Sequence, residues 1–395
     1  MTLSLSSQNV FQYLVDIGLC HSQDLDSIQV EPTQLAKNFN LLVSIQKKGK
    51  LLVKQERLDA KGQSANEFFN EWLFHELIKK ISPLNHFANS VSELLHFDPS
   101  NSILVYNYLI DYRDLEKFYH RKAQSFPVII AASLGTLLAT LHRETLNCSD
   151  CRDFISQIPE GTSRHVFGNP ANSIERIEPE IFGIVPSDCL KFFILYQRYE
   201  SLGNAITDLA THWHPCCVVH NDLKLNNILI YNAWEEFPKE DGCLEDGIVR
   251  IIDWERCSWG DPAFDLGTIL ASFLMVWLSS LVVDPSIALE ESLRLAGTPL
   301  EVMQPSITAF TNAYFSHFPA ILSNRPDFLK RVVQFTGLAL INQIQALTQY
   351  QKTFGNTGIC MLQVAKSLLC RPEQSMFSIF GISESELLAL SMSAA

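Results

Sequence analysis

The chain has 395 residues, 47% of them hydrophobic, and a formal net charge of −13 with no basic run long enough to reverse it. That length buries ample core and suits about two or three domain-sized units, while the acidic balance excludes nucleic acid as an expected partner. The opening residues, Met1-Thr2-Leu3-Ser4-Leu5, lack the basic stretch and apolar core of a secretory leader, so a cytoplasmic protein with reduced thiols at its 10 cysteines is expected.

Residues 7–19 carry Val10, Tyr13, Leu14 and Ile17 at helical spacing, which predicts a leading helix. Residues 27–36, 41–46 and 51–57 then read as strands, the last two joined by the charged turn Lys47-Lys48-Gly49-Lys50. The last of these strands, Leu51-Leu52-Val53-Lys54-Gln55, is apolar and carries an inward lysine at position 54. Residues 64–80 predict a helix with Phe68, Trp72 and Leu73 among its apolar positions, and it offers Glu67, Glu71 and Glu76 as acidic partners for that lysine. The loop between the first two strands, Ala36-Lys37-Asn38-Phe39-Asn40, contains no glycine. A further strand is expected from Ser102 to Tyr106, running into Asn107 and Leu109.

Apolar residues at helical spacing from Leu134 to His142 predict a helix ending in Leu-His, with the histidine in a structural role. Cys148 and Cys151 form a Cys-x-x-Cys with no second pair at zinc spacing, and incidental thiols are expected there. Residues 143–190 are rich in Pro, Gly, Ser and charge and read as a long irregular connection. A helix is expected over 187–212, then a short strand from Cys217.

From Val218 the chain reads Val-Val-His-Asn-Asp-Leu-Lys-Leu-Asn-Asn, then Val249-Arg-Ile-Ile-Asp-Trp-Glu255, then Gly260-Asp-Pro-Ala-Phe-Asp-Leu-Gly267. His220, Asp222 and Asn227 fit His-x-Asp-x4-Asn, in which the Asp orients a hydroxyl and accepts its proton and the Asn holds a magnesium ion. Asp253, after a buried apolar strand, would be the second ligand, since hard oxygens suit Mg2+. These are the parts of a phosphoryl-transfer site, where catalysis comes from holding ATP, cations and acceptor in line.

Through these motifs the chain resembles the aminoglycoside phosphotransferase and choline kinase group of small-molecule kinases, which share the protein-kinase fold. The resemblance covers residues 25–270 by motif. It implies an α+β, bilobal fold: a small antiparallel sheet with a helix over residues 1–106 and a mostly helical lobe over 107–395. It further implies that Lys54 reaches the ATP phosphates, that Glu71 pairs with it, with Glu67 one turn away as the rival, and that Asn38 lies in the phosphate-covering loop. Backbone groups at Asn107 and Leu109 would meet the adenine edge. His220 and Asp265 would fix the catalytic loop, Glu255 would hold a water or the acceptor, and Lys224 could balance charge on the transferring group.

The apolar run 266–283 is long enough to suggest a membrane span, but the resemblance implies a buried core helix, and no membrane association is expected. Further helices are expected over 286–296, 300–316, 326–353 and 357–371, walling the acceptor pocket. The excess of acidic residues leaves a cationic acceptor open. The expected activity is transfer of the γ-phosphoryl group of Mg-ATP to a hydroxyl of a small molecule, with no protein partner evident. A protein kinase and a silent nucleotide-binding scaffold are the alternatives. Against the former, no Ala-Pro-Glu follows Asp253; against the latter, every expected catalytic side chain is present.

Overall fold

Alternation along the N-terminal strands decides how their sheet is covered. The computed structural model describes residues 3–32, 38–46, 49–58, 64–121, 125–158, 167–172, 187–237, 244–284, 286–287 and 289–393. Within them β1 (Ile28–Pro32), β2 (Phe39–Ile45), β3 (Gly49–Gln55), β4 (Leu94–Asp98) and β5 (Ile103–Asn107) form an antiparallel sheet in the order β1-β2-β3-β5-β4. Leu41, Val43 and Ile45 of β2 point to one face with Val53, Ile103 and Val105, where they pack with Val10, Tyr13 and Leu14 of helix α1 (Val10–Asp16). The opposite face carries Leu52, Leu104 and Tyr106 against Phe68 and Trp72 of helix α2 (Glu67–Lys80). Because side chains alternate along a strand, Lys54 shares the face of Leu52 and looks toward α2.

The remaining described chain is mostly helical. Strand β6 (Tyr112–Asp114) is followed by α3 (Leu115–Arg121), α4 (Val128–Glu144), α5 (Ser149–Ile155), α6 (Ser187–Gln197) and α7 (Glu200–Thr211). Next come β7 (Cys217–Val219), β8 (Ile228–Tyr231), β9 (Val249–Ile251) and β10 (Ser258–Gly260), which make two small sheets, β10-β7 and β6-β8-β9. The chain ends in α8 (Pro262–Ser279), α9 (Leu289–Arg294), α10 (Leu300–His317), α11 (Ala320–Asn324), α12 (Phe328–Tyr350), α13 (Asn356–Cys370), α14 (Pro372–Phe380) and α15 (Glu384–Ser393).

Glycines set close helix contacts in this region, two of them at α4 and α8. A Cβ on Gly135 of α4 would lie 2.2 Å from the Phe310 carbonyl oxygen of α10, and one on Gly267 of α8 would lie 2.7 Å from Phe335 Cβ of α12. Only a residue without a side chain permits either approach. Helix α8 is long and apolar enough to cross a membrane by length and composition, and 67% of that stretch is buried inside the protein.

The α+β architecture is as expected, with differences in detail. The expected helix over 187–212 is two helices, broken at Arg198 and Tyr199. The leading helix is shorter than 7–19, β4 was not foreseen, and neither were α11, α14 and α15. Within 143–190, read as irregular, the chain forms α5. Cys148 caps that helix and Cys151 lies in its first turn, with Cα atoms 5.2 Å apart, and the structure joins them in a disulfide where free thiols were expected. Lys47 and Lys48 of the expected turn, Ala36 and Lys37 of the phosphate-covering loop, and much of 143–190 lie outside the described residues.

Candidate active site

Strand β7 is wholly buried and delivers the chain at His220 into a loop that is held from several sides. The Asp265 carboxylate, fully buried in the first turn of α8, accepts the backbone N–H of His220 at 2.7 Å and of Asn221 at 2.9 Å. His142 of α4 lies against the same carboxylate, its Nε2 at 3.3 Å, while its Nδ1 meets the Tyr314 hydroxyl at 3.0 Å. His220 donates from Nε2 to the Ile252 carbonyl at 2.9 Å and accepts the Asp222 N–H at Nδ1, 3.2 Å away, so both bonds require one tautomer. Asn221 sits at φ 64°, a left-handed conformation that Asn tolerates, and its amide donates to Ser258 Oγ and the Arg256 carbonyl.

These anchors leave Asp222 facing a cavity of about 1430 Å³, with Lys224 Nζ at 3.0 Å and Arg256 at 3.8 Å from its carboxylate. Asn227 donates from Nδ2 to the Asp222 carbonyl at 2.9 Å, and among the described residues its Oδ1 receives no hydrogen bond. Asp253, also at positive φ, enters the cavity from the end of β9, and Lys54 Nζ contacts its carboxylate. Glu71 stands behind Lys54 at 3.9 Å and is buried. Of the two α2 candidates, Glu71 is the one within ion-pair distance of the lysine, whose nearer carboxylate is Asp253.

Burial, the carboxylates and the lysine set the ionisation of this group. Burial works to lower the Lys54 pKa, but Asp253 and Glu71 outweigh it and the net shift is upward. For Asp253 burial pushes up, and the Lys54 ammonium in contact with it brings the carboxyl below its ordinary value. Burial raises Glu71 despite Lys54. Burial, with Glu71, Glu67 and Asp253 nearby, pushes Glu255 up to about 8. Lys54 is therefore a fixed cation and Asp253 a fixed anion.

The remaining expected residues fall at different distances from this centre. Asn38 Nδ2 donates to Glu255 Oε2 at 3.0 Å, and both line the cavity. His220, Asp265 and Glu71 support the cavity from behind. Asn107 and Leu109 lie outside it; the Asn107 N–H already donates to the Glu93 carbonyl, and the Leu109 carbonyl accepts from the Tyr112 N–H. Sequence reasoning missed Asn70, whose amide holds the Glu255 carbonyl at 3.0 Å, and Arg256, whose place directly after Asp253-Trp-Glu was the available signal. It also missed the stacking of Phe74 on Trp254, ring centroids 3.7 Å apart, which ties α2 to the turn after Asp253.

Structures of glucosamine kinase share this fold. Two structures of glucosamine kinase superpose with a TM-score of 0.52: one, at 13% identity, covers 94% of this chain and 86% of that one, and the other, with glucosamine, ADP and inorganic phosphate bound, covers 95% and 88% at 12% identity. The choline kinase LicA from Streptococcus pneumoniae is 17% identical over 92% of this chain and 99% of its own, with a TM-score of 0.41. No curated protein matches the sequence. Residues 40–295 match the APH family, the phosphotransferase enzyme family, and the chain belongs to that family of small-molecule kinases.

Proposed function

We propose that this protein transfers the γ-phosphoryl group of ATP to a hydroxyl of a small molecule, with Asp222 as the group that receives the hydroxyl proton. The observation that supports this most is the convergence of Asp222, Asn227, Asp253 and Lys54, drawn from both halves of the chain, on one cavity. In the reaction the acceptor oxygen bonds to phosphorus, the bond to the ADP oxygen breaks, and the proton passes to the Asp222 carboxylate. Such positioned base help contributes about 10²–10⁴-fold in rate.

Lys54 is assigned to the ATP phosphates. It is a cation held between two carboxylates, and its contact with Asp253 marks where negative charge is to be met. The Asn227 Oδ1 and the Asp253 carboxylate fit Mg2+, being hard oxygens at one cavity wall. When bound, that ion neutralises charge on the phosphate oxygens. Asn227 is oriented for this by its own bond to the Asp222 carbonyl, and Asp253 by the ammonium beside it. Lys224 and Arg256 flank the Asp222 carboxylate and place positive charge beside the transferring group. ADP bound by the glucosamine kinase of like fold agrees with a nucleotide here.

The test is transfer of labelled γ-phosphoryl from Mg-ATP into a pooled metabolite extract. Labelled product that requires Asp222 supports the proposal. Nucleotide binding without labelled product from any extract would favour the scaffold reading instead.

A further inference from the structure

Excess acid over the whole chain left a cationic acceptor open, yet the charged side chains of the cavity all come from outside the two long helices of its far wall. Asp222 is bracketed by Lys224 and Arg256, Asp253 is in contact with Lys54, Glu255 accepts from Asn38, and Arg57 lines the cavity just after β3. The wall beyond Asp222 comes from two helices. From α8 it takes Thr268, Ser272 and Met275, which share one face at helical spacing, and from α12 it takes Asn342, Gln345 and Gln349, which likewise share a face. Among the described residues, these two helices present no acid and no base to the cavity. Gly267 brings the helices together at Phe335; the α8 face begins at the next residue, Thr268, and the α12 face about two turns on, at Asn342.

We infer that the acceptor is an uncharged, polyhydroxylated metabolite, held against α12 by the amides of Asn342 and Gln345 with its reactive hydroxyl at Asp222. This rests on the phosphotransfer reading and narrows it. A primary amide offers two N–H donors and a carbonyl acceptor, which matches a hydroxyl that both gives and takes a hydrogen bond. Both amides are half-buried, and among the described residues neither side chain is engaged in another hydrogen bond. A quaternary ammonium would call for spare carboxylates or open aromatic faces. The Phe167 ring at this cavity is covered by the Arg256 guanidinium, 5.3 Å from its centroid, and Phe264 is buried. At Asp222 an anionic acceptor would have to compete for Arg256 and Lys224 with Asp222 and with the phosphoryl group itself, and the cavity's other cations, Lys54 and Arg57, come from the end of β3 and the residues just after it.

The experiment measures ADP release from Mg-ATP by the full chain with three acceptor pools at equal concentration. The pools are neutral aldoses and polyols, amino sugars with quaternary amines, and sugar acids. Native protein is compared with Asn342→Ala, Gln345→Glu and Asp222→Asn. The expected result is the highest kcat/KM on a neutral acceptor. Asn342→Ala should raise that acceptor's KM about tenfold, the worth of a lost hydrogen bond, and leave the KM for ATP unchanged. Gln345→Glu should move preference toward amines. Asp222-dependent turnover that is highest on amines or on acids would overturn the inference while leaving the kinase reading standing. A neutral acceptor whose KM ignores both wall variants would also overturn it. Equal silence of native and Asp222→Asn proteins on all pools would bring down the kinase reading and this inference together.

Discussion

Asp265 and Asp222 are both carboxylates of the same loop region, and burial separates their roles. Asp265 is fully buried and satisfies two backbone N–H groups, so Asp265→Ala leaves both without a partner. Each costs about 1–3 kcal/mol, and chemical denaturation should show a loss of about 3 kcal/mol. Asp222 faces the cavity, and Asp222→Asn should alter stability by less than about 0.5 kcal/mol while lowering turnover by at least about 10²-fold. Glu255 supplies a pH signature. Its pKa is near 8 in the folded protein against an ordinary 4.5, so the folded state holds its proton more tightly than the unfolded chain. Its contribution to stability is full below 4.5 and is lost as pH rises toward 8. Gln can still accept from Asn38, so the stability advantage of Glu255→Gln over native should grow from pH 5 to pH 8 in urea melts; a constant or shrinking difference would count against the electrostatic account. That Asp222, Asn227, Asp253 and Lys54 gather at one cavity was anticipated from residue types and spacing. Asn70 and Tyr314 were not, since a buried amide or phenol far along the chain reveals its partner only in three dimensions.

At the scale of elements, helix contacts turn on two kinds of glycine. Gly267 has no room, and Gly267→Val would force α8 and α12 apart at Phe335; a destabilisation of about 3 kcal/mol is expected, together with impaired acceptor binding, because the wall faces follow this contact. Gly203, in α7, has a helical backbone, and a Cβ added there would meet nothing within 4 Å, so Gly203→Ala should gain about 0.5–1 kcal/mol. Thermal melts of the two variants should move in opposite directions. Long periodic segments such as α8, α10, α12 and α13 were readable from spacing. The break at Arg198 was not, because neither Arg nor Tyr disfavours a helix strongly enough to announce it. The β4 strand, Leu94–Asp98, was missed for the related reason that its burial is partial and its alternation weak.

For the molecule as a whole, the site exists only where the sheet and its helix meet the chain around Asp253. Lys54 reaches Asp253, Asn38 and Asn70 both reach Glu255, and Phe74 stacks on Trp254. The fold class was legible in the sequence, and so was the set of residues that gathers at this cavity, because phosphate chemistry leaves few choices of side chain. The acceptor wall was silent, since Asn342 and Gln345 on a largely apolar helix read as ordinary polar positions until α8 is seen opposite them. The most direct test of the account is ADP release from Mg-ATP in the presence of pooled small metabolites, native protein beside Asp222→Asn. The account predicts turnover that requires the metabolites and falls by at least about 10²-fold in the variant, with nucleotide affinity retained. Turnover that is equal in the two proteins, or absent from both while ATP still binds, would contradict it.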